Sequence, residues 1–200
     1  MRKSFLLFTG SVLTWCFLQV GCFAYSSDPK QFVSEIVDEA KIVLNSNISK
    51  EEKAKKLSEI ALKTVDIKGI GYYTLGSKRK ELTPEELKKY EGIFEKYFLK
   101  SFTSRLTDYS DPKIEVLSAE VLNEKYTIVK TLLLATNKKP EVKIDWRIYT
   151  KDPNKPLIRD LIVEGLKLAR TQKEEFASIL SSNNDDINVL FTKLEEFINQ

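Results

Sequence analysis

The chain has 200 residues, with 32 Lys or Arg against 29 Asp or Glu, no histidine, two cysteines and one methionine. The lack of histidine removes the Ser-His-Asp triad, the Cys-His pair and the HExxH zinc site. A near-balanced charge also lacks the clustered basic excess that nucleic acid demands, so any catalysis would fall to carboxylates, lysine, tyrosine or serine.

Residues 1–24 differ from the rest. Arg2 and Lys3 are followed by a mostly apolar, uncharged run from Phe5 to Val20, then by polar Tyr25-Ser26-Ser27-Asp28-Pro29. That is the tripartite form of a secretory signal, too short and too abruptly ended for a membrane span. Small Cys22 and Ala24 place cleavage after Ala24, leaving residues 25–200 as one exported domain. The rival reading lipidates Cys22, with Gln19 standing where such a signal carries an aliphatic residue. Both cysteines lie in the leader, so the mature domain has no disulfide, structural zinc cluster or thiol nucleophile and must be held by packing.

The mature chain begins with helices. Phe32, Val33, Ile36, Val37, Ala40, Val43 and Leu44 share one helical face. Ser49 and Glu52 form a capping box for a second helix, with Leu57, Ile60, Ala61 and Thr64 inward. Asp66 opens a short helical piece through Leu75, closed by Gly76. Thr83-Pro84-Glu85-Glu86 starts a long helix to about Thr107, striped by Leu87, Tyr90, Phe94, Tyr97, Phe98, Phe102 and Leu106. That stripe reads either as ordinary core or as the wall of an apolar cavity.

After Asp111-Pro112 the period changes. Residues 114–122, 125–136, 142–149 and 157–163 are predicted strands, joined at Asn123-Glu124, Asn137 to Pro140, and Asp152 to Pro156. In the third, Val142, Ile144, Trp146 and Ile148 alternate with Lys143, Asp145, Arg147 and Tyr149. Thr171 and Glu174 are expected to cap a further helix, and Ile187, Leu190, Phe191, Leu194 and Ile198 stripe the last one. The expected class is α+β, a four-stranded antiparallel sheet packed on one face by helices.

Chemistry-bearing patterns are sparse. Glu51-Glu52, Glu85-Glu86 and Glu195-Glu196 are adjacent helix carboxylates pointing about 100° apart, as solvated faces do. Asp185-Asp186 suits the start of the last helix, and Gly69-Ile70-Gly71 lacks the context of a phosphate loop. Asp145 and Asp160 sit within strands, opposite to their apolar neighbours. No residue is predicted to be catalytic, and no metal or cofactor is expected.

Several segments, in order, resemble the MlaC-type (toluene-tolerance, phospholipid-transport auxiliary) family. They are Asp28-Pro29 before Phe32-Val33; Val65-Asp66, Leu75-Gly76 and Leu82-Thr83-Pro84-Glu85-Glu86; Arg105-Leu106 with Tyr109; and Arg159-Asp160, Val163-Glu164-Gly165, Leu168 and Phe176. The chain departs from the family pattern at Arg79 and Leu157, where tryptophan is usual. Glu86, Lys167 and Lys173 stand for its glutamine, serine and arginine. The resemblance implies a periplasmic, non-enzymatic carrier that shuttles glycerophospholipid and maintains outer-membrane lipid asymmetry. Its implied partners are phospholipid, an inner-membrane MCE-domain ABC transporter complex and an outer-membrane lipoprotein/porin complex, with membrane contact through those partners. It also implies an apolar pocket between sheet and helices. The expected lining is Val142, Ile144, Trp146, Ile148, Leu161 and Val163, facing Phe94, Tyr97 and Phe98. Two other readings stay open: a lipid-free envelope adaptor, and an enzyme using a carboxylate such as Asp160 on a small apolar substrate.

Overall fold

Local capping chemistry sets where the helices begin. Asp28, Ser49, Asp66 and Thr83 each accept a hydrogen bond from a backbone N–H three residues on, at Gln31, Glu52, Gly69 and Glu86. Such a bond satisfies one of the four donors that a helix start leaves orphaned. At Ser49 and Thr83 the glutamate side chain returns the bond, completing both predicted capping boxes. The helices that follow are α1 (Pro29–Asn45), α2 (Lys50–Thr64), α3 (Ile67–Thr74) and α4 (Pro84–Leu106), with one 3-10 turn at Lys78–Lys80. The structure is a computed structural model that describes residues 25–109, 111–137 and 140–200. The predicted signal segment therefore lies outside the described residues. No helix among them is long and apolar enough to cross a membrane.

The second half is an antiparallel meander of β1 (Ile114–Asn123), β2 (Tyr126–Leu133), β3 (Val142–Tyr149), β4 (Leu157–Val163) and β5 (Leu166–Lys167), hydrogen-bonded in that order. The fifth strand exceeds the expected four. It arises because Glu164 and Gly165 take left-handed φ values of 49° and 83°, folding the chain back on β4 in a two-residue turn. Glu164 tolerates that backbone while bound twice to Lys143: its N–H donates to the carbonyl at 3.0 Å, and its carboxylate accepts from the N–H at 2.5 Å. Beyond β5, the free edge of β4 is met by the α2–α3 link, where Val65 bridges Ile158 and the Asp66 N–H donates to the Ile158 carbonyl at 3.0 Å.

Helices α5 (Leu168–Ser181) and α6 (Ile187–Asn199) complete the fold. Asp186 caps α6, accepting from the Asn188 N–H. For α5 the structure corrects the expected start: Thr171 and Glu174 lie inside the helix, which opens at Leu168. Its early amide is satisfied from another element, the Ala169 N–H donating to the Asp160 carboxylate of β4 at 2.9 Å. Thr171 instead donates to the Lys167 carbonyl, and Glu174 pairs with Arg170.

Helices cover one face of the sheet. α1 packs on β1 and β2, α5 on β4, and α3 on the other end of β4, while α4 packs mainly on α6, α2 and α3. The core between them is centred on Phe32, Leu57, Tyr90, Phe176, Phe191 and Leu190, all essentially sealed from water. Tyr90 keeps its hydroxyl satisfied there, 2.8 Å from the Thr74 hydroxyl.

Candidate functional site

Strand register decides which apolar side chains share a face. Opposed pairs place Leu133 with Val142; Thr131 with Ile144 and Val163; Val129 with Trp146 and Leu161; and Thr127 with Ile148 and Ile158. Side chains directly across antiparallel strands lie on the same side. Hence Val142, Ile144, Trp146, Ile148, Leu161 and Val163, all expected to line a pocket, do lie on one face. Val129 and Ile148 on it are 0% exposed, which identifies this as the face beneath the helices.

Burial on this face is graded along β3 and β4, whereas Thr127, Val129 and Thr131 of β2 are all buried. At the Ile148 end it is sealed; toward Trp146, Ile144 and Val142 on β3, and Leu161 and Val163 on β4, each apolar side chain is only half-buried. Apolar surface left in water is unfavourable by roughly 25 cal/mol per Å², so a contiguous half-covered floor invites an apolar occupant. Helix α4 shows the same gradient. Phe94, Phe98, Phe102 and Leu106 recur every fourth residue and form one row. Phe94 is 2% exposed, stacked on Tyr90 at 5.5 Å, whereas Phe98, Phe102 and Leu106 are half-buried. Phe98 and Phe102 stack at 6.0 Å, and Phe98, Trp146 and Leu161 all pack against the same core.

Polar atoms within this region are bound internally. The Trp146 indole N–H donates to the Thr131 hydroxyl at 3.0 Å, and that hydroxyl donates to the Ile144 carbonyl at 2.9 Å. The indole thus offers its ring and no unmet donor. The Tyr97 hydroxyl donates to Gln172 at 2.8 Å, and burial, aided by the Glu175 charge, pushes its phenol above the ordinary range. It stays a neutral donor at any ordinary pH.

Two of the nine expected lining residues, Phe94 and Ile148, therefore sit in the filled core, and Val142, Ile144, Trp146, Leu161 and Val163 form the half-covered floor. Half-buried Tyr97 packs on Phe176 and Phe197 of the last two helices, and Phe98 on Phe94 and Phe102 of its own. Sequence reasoning passed over Ile114, Val116 and Leu133, which register adds to the same face. The signal was present, since Ile114 and Val116 alternate with Glu115 and Leu117 within a predicted strand. A separate cleft of about 290 Å³ opens between α3 and α4, with Lys68, Lys88, Glu91 and Glu95 among its walls; of the nine, only Phe94 reaches it.

Asp160 is placed elsewhere. Opposite Arg147 in the register and 7% exposed, it serves the start of α5 and not the apolar floor. Burial pushes its carboxyl above the usual range, against the opposing pull of the Ala169 and Leu161 amides and the Arg147 charge. Among the described residues, no group of three or more Asp or Glu side chains is arranged to hold a metal ion.

A family model described as MlaC protein matches residues 34–196. The chain belongs to the MlaC family. One solved structure of similar shape is that of the phospholipid-binding protein from Ralstonia solanacearum in complex with a phospholipid. It matches with a TM-score of 0.72 at 18% identity, over 88% of this chain and 98% of that one. At that identity the likeness is one of fold, and it extends across the helices and the sheet of this MlaC family member. Among curated proteins, none matches.

Proposed function

We propose that this protein is a phospholipid carrier of the periplasm, exported by a cleaved leader. In this reading it shuttles glycerophospholipid between outer-membrane and inner-membrane complexes, and so maintains outer-membrane lipid asymmetry. The observation that carries the reading is the half-covered floor of Val142, Ile144, Trp146, Leu161 and Val163, continuous with a sealed core at Ile148. A protein that merely filled its interior would seal such a floor. Family membership and the phospholipid held by the Ralstonia protein of like fold support phospholipid as the occupant.

The energetics suit a shuttle. Two acyl chains of about 30 methylenes gain on the order of 20 kcal/mol on leaving water, at ~0.8 kcal/mol each. A bilayer offers a comparable gain, so retention in water is tight while transfer into a membrane is nearly balanced. Because the floor carries no fixed charge, the site reads tails, and headgroup preference is weak. The partners in this reading are an MCE-domain ABC transporter complex at the inner membrane and a lipoprotein/porin complex at the outer membrane. The protein itself does no chemistry.

Purified protein, extracted with organic solvent and examined by mass spectrometry, should release glycerophospholipid, and delipidated protein should take it up from liposomes. An extract without phospholipid, together with failure of uptake, would overturn the reading.

A further inference from the structure

A second surface is built where α3 ends. Gly76, at φ 57°, reverses the chain after Leu75, and Lys78-Arg79-Lys80 follow at once as a single 3-10 turn. With three residues per turn, three successive side chains fan out in three directions. Lys78 reaches Glu81 at 2.9 Å, Arg79 folds back over the Tyr72 ring at 4.6 Å, and Lys80 is exposed. Lys68 lies over the same ring at 5.4 Å while pairing with Glu91 at 3.0 Å. Packing of α5 on α3 then brings Lys173 over Tyr73 at 5.3 Å, close enough to Gly76 that a Cβ there would meet Lys173 Cε at 3.0 Å.

Charge on this surface is unevenly matched. Lys68, Lys78 and Arg170 each have a carboxylate, at Glu91, Glu81 and Glu174. Among the described residues, Arg79, Lys80 and Lys173 have no ion pair. Arg79 lies over Tyr72 and Lys173 over Tyr73, neighbouring rings at the end of α3, in a domain whose residues 25–200 carry 30 basic against 29 acidic groups. Beside Lys173 stands Tyr73, 47% exposed despite its size. The free cations come from a turn and from α5, with no shared pocket. That spacing matches a broad negative field better than one small anion. An exposed phenol flanked by long cationic side chains suits the headgroup level of a bilayer, where an amphipathic ring has both solvents it prefers.

We propose that Tyr73, Arg79, Lys80 and Lys173 form a docking surface for an anionic phospholipid bilayer. The contact holds the protein directly and transiently against the membrane. It is independent of whether lipid occupies the sheet floor. Three of these four side chains are cations and Tyr73 alone offers a ring, so the attachment is electrostatic, fast and salt-sensitive.

The test is co-sedimentation of the mature chain with vesicles of phosphatidylcholine alone, or with roughly 30% phosphatidylglycerol added, at low and high salt. Binding should appear only on the anionic vesicles and vanish at high salt. Each cation near such a surface is worth about five-fold, so Arg79→Gln/Lys80→Gln/Lys173→Gln should weaken partition about 100-fold. An equal charge change at exposed Lys96→Gln/Lys151→Gln/Lys155→Gln should leave it within a few-fold. Equal binding to neutral vesicles would overturn the proposal. So would equal losses in the two triple variants, or retention on a polyglutamate matrix without vesicle binding. Phospholipid content by mass spectrometry keeps the two readings apart: the docking variant should retain its lipid, and an empty wild type that still docks would sink only the carrier reading.

Discussion

Ile144 and Ile148 lie four residues apart on one strand and one face, yet the first is half-buried and the second is 0% exposed. Glutamate at each position separates a cargo surface from a core. At Ile144 about half the 1.5–3 kcal/mol worth of a buried isoleucine is at stake, so stability should fall by about 1 kcal/mol. For a chain of this size that lowers Tm by about 2–4 °C. The same carboxylate, set against an acyl chain, removes contact with about four methylenes, or ~3 kcal/mol, and retained phospholipid should drop about 100-fold. At Ile148 the carboxylate would be buried without a partner. A cost above about 4 kcal/mol follows, enough to leave the variant largely unfolded. Thermal denaturation reads the first effect, and mass spectrometry of the extract reads the second. An Ile144→Glu protein that folds and keeps its full lipid would refute the floor as the cargo surface. One that unfolds as Ile148→Glu does would show that the floor is ordinary core.

Two further expectations concern the scaffold. Burial raises the Asp160 carboxyl, so the folded chain binds that proton more tightly than the unfolded chain does. Its contribution to stability is then fullest below the unfolded value of about 3.8 and declines as pH rises through the folded one. Asp160→Asn should abolish that dependence yet keep an oxygen for the Ala169 N–H, changing stability at pH 7 by less than about 1 kcal/mol. Asp160→Ala orphans the amide and should cost about 1–3 kcal/mol in urea unfolding; equal effects of the two variants would rule out the capping role. The glycines of the α3–α4 contact should respond in opposite senses. A Cβ at Gly71 would lie 2.7 Å from Phe94 Cδ1 in the sealed core, so Gly71→Ala should destabilise by about 1–3 kcal/mol. Nothing lies within 4 Å of a Cβ at Gly92, inside α4, so Gly92→Ala should stabilise by up to about 1 kcal/mol on the same thermal scan.

Much of the architecture was legible because its determinants are local. Ser49 with Glu52, and Thr83 with Glu86, meet within one helical turn, so their spacing alone announces where α2 and α4 begin. Short links between alternating runs likewise announce a meander. The start of α5 was not legible, since its amide is satisfied by Asp160 across a hairpin, and the Thr171-Glu174 pattern lies in mid-helix. Thr127 and Thr131 were similarly hidden: both are buried on the helix-facing side, where composition alone would expect apolar residues. Thr131 belongs there because its hydroxyl joins the Trp146 indole to the Ile144 carbonyl.

For the candidate site, the two-residue period of β3 determined that Val142, Ile144, Trp146 and Ile148 share a face, and the four-residue spacing of α4 determined the row from Phe94 to Leu106. Both follow from backbone geometry within a single element. How deeply each member is covered was decided only by tertiary packing. The elements that seal Ile148 and Phe94 come from distant stretches of the chain, and the coverage they leave elsewhere follows from where they stop. Periodicity therefore names the side of a strand or helix that turns inward, while the space beneath it belongs to the assembled fold.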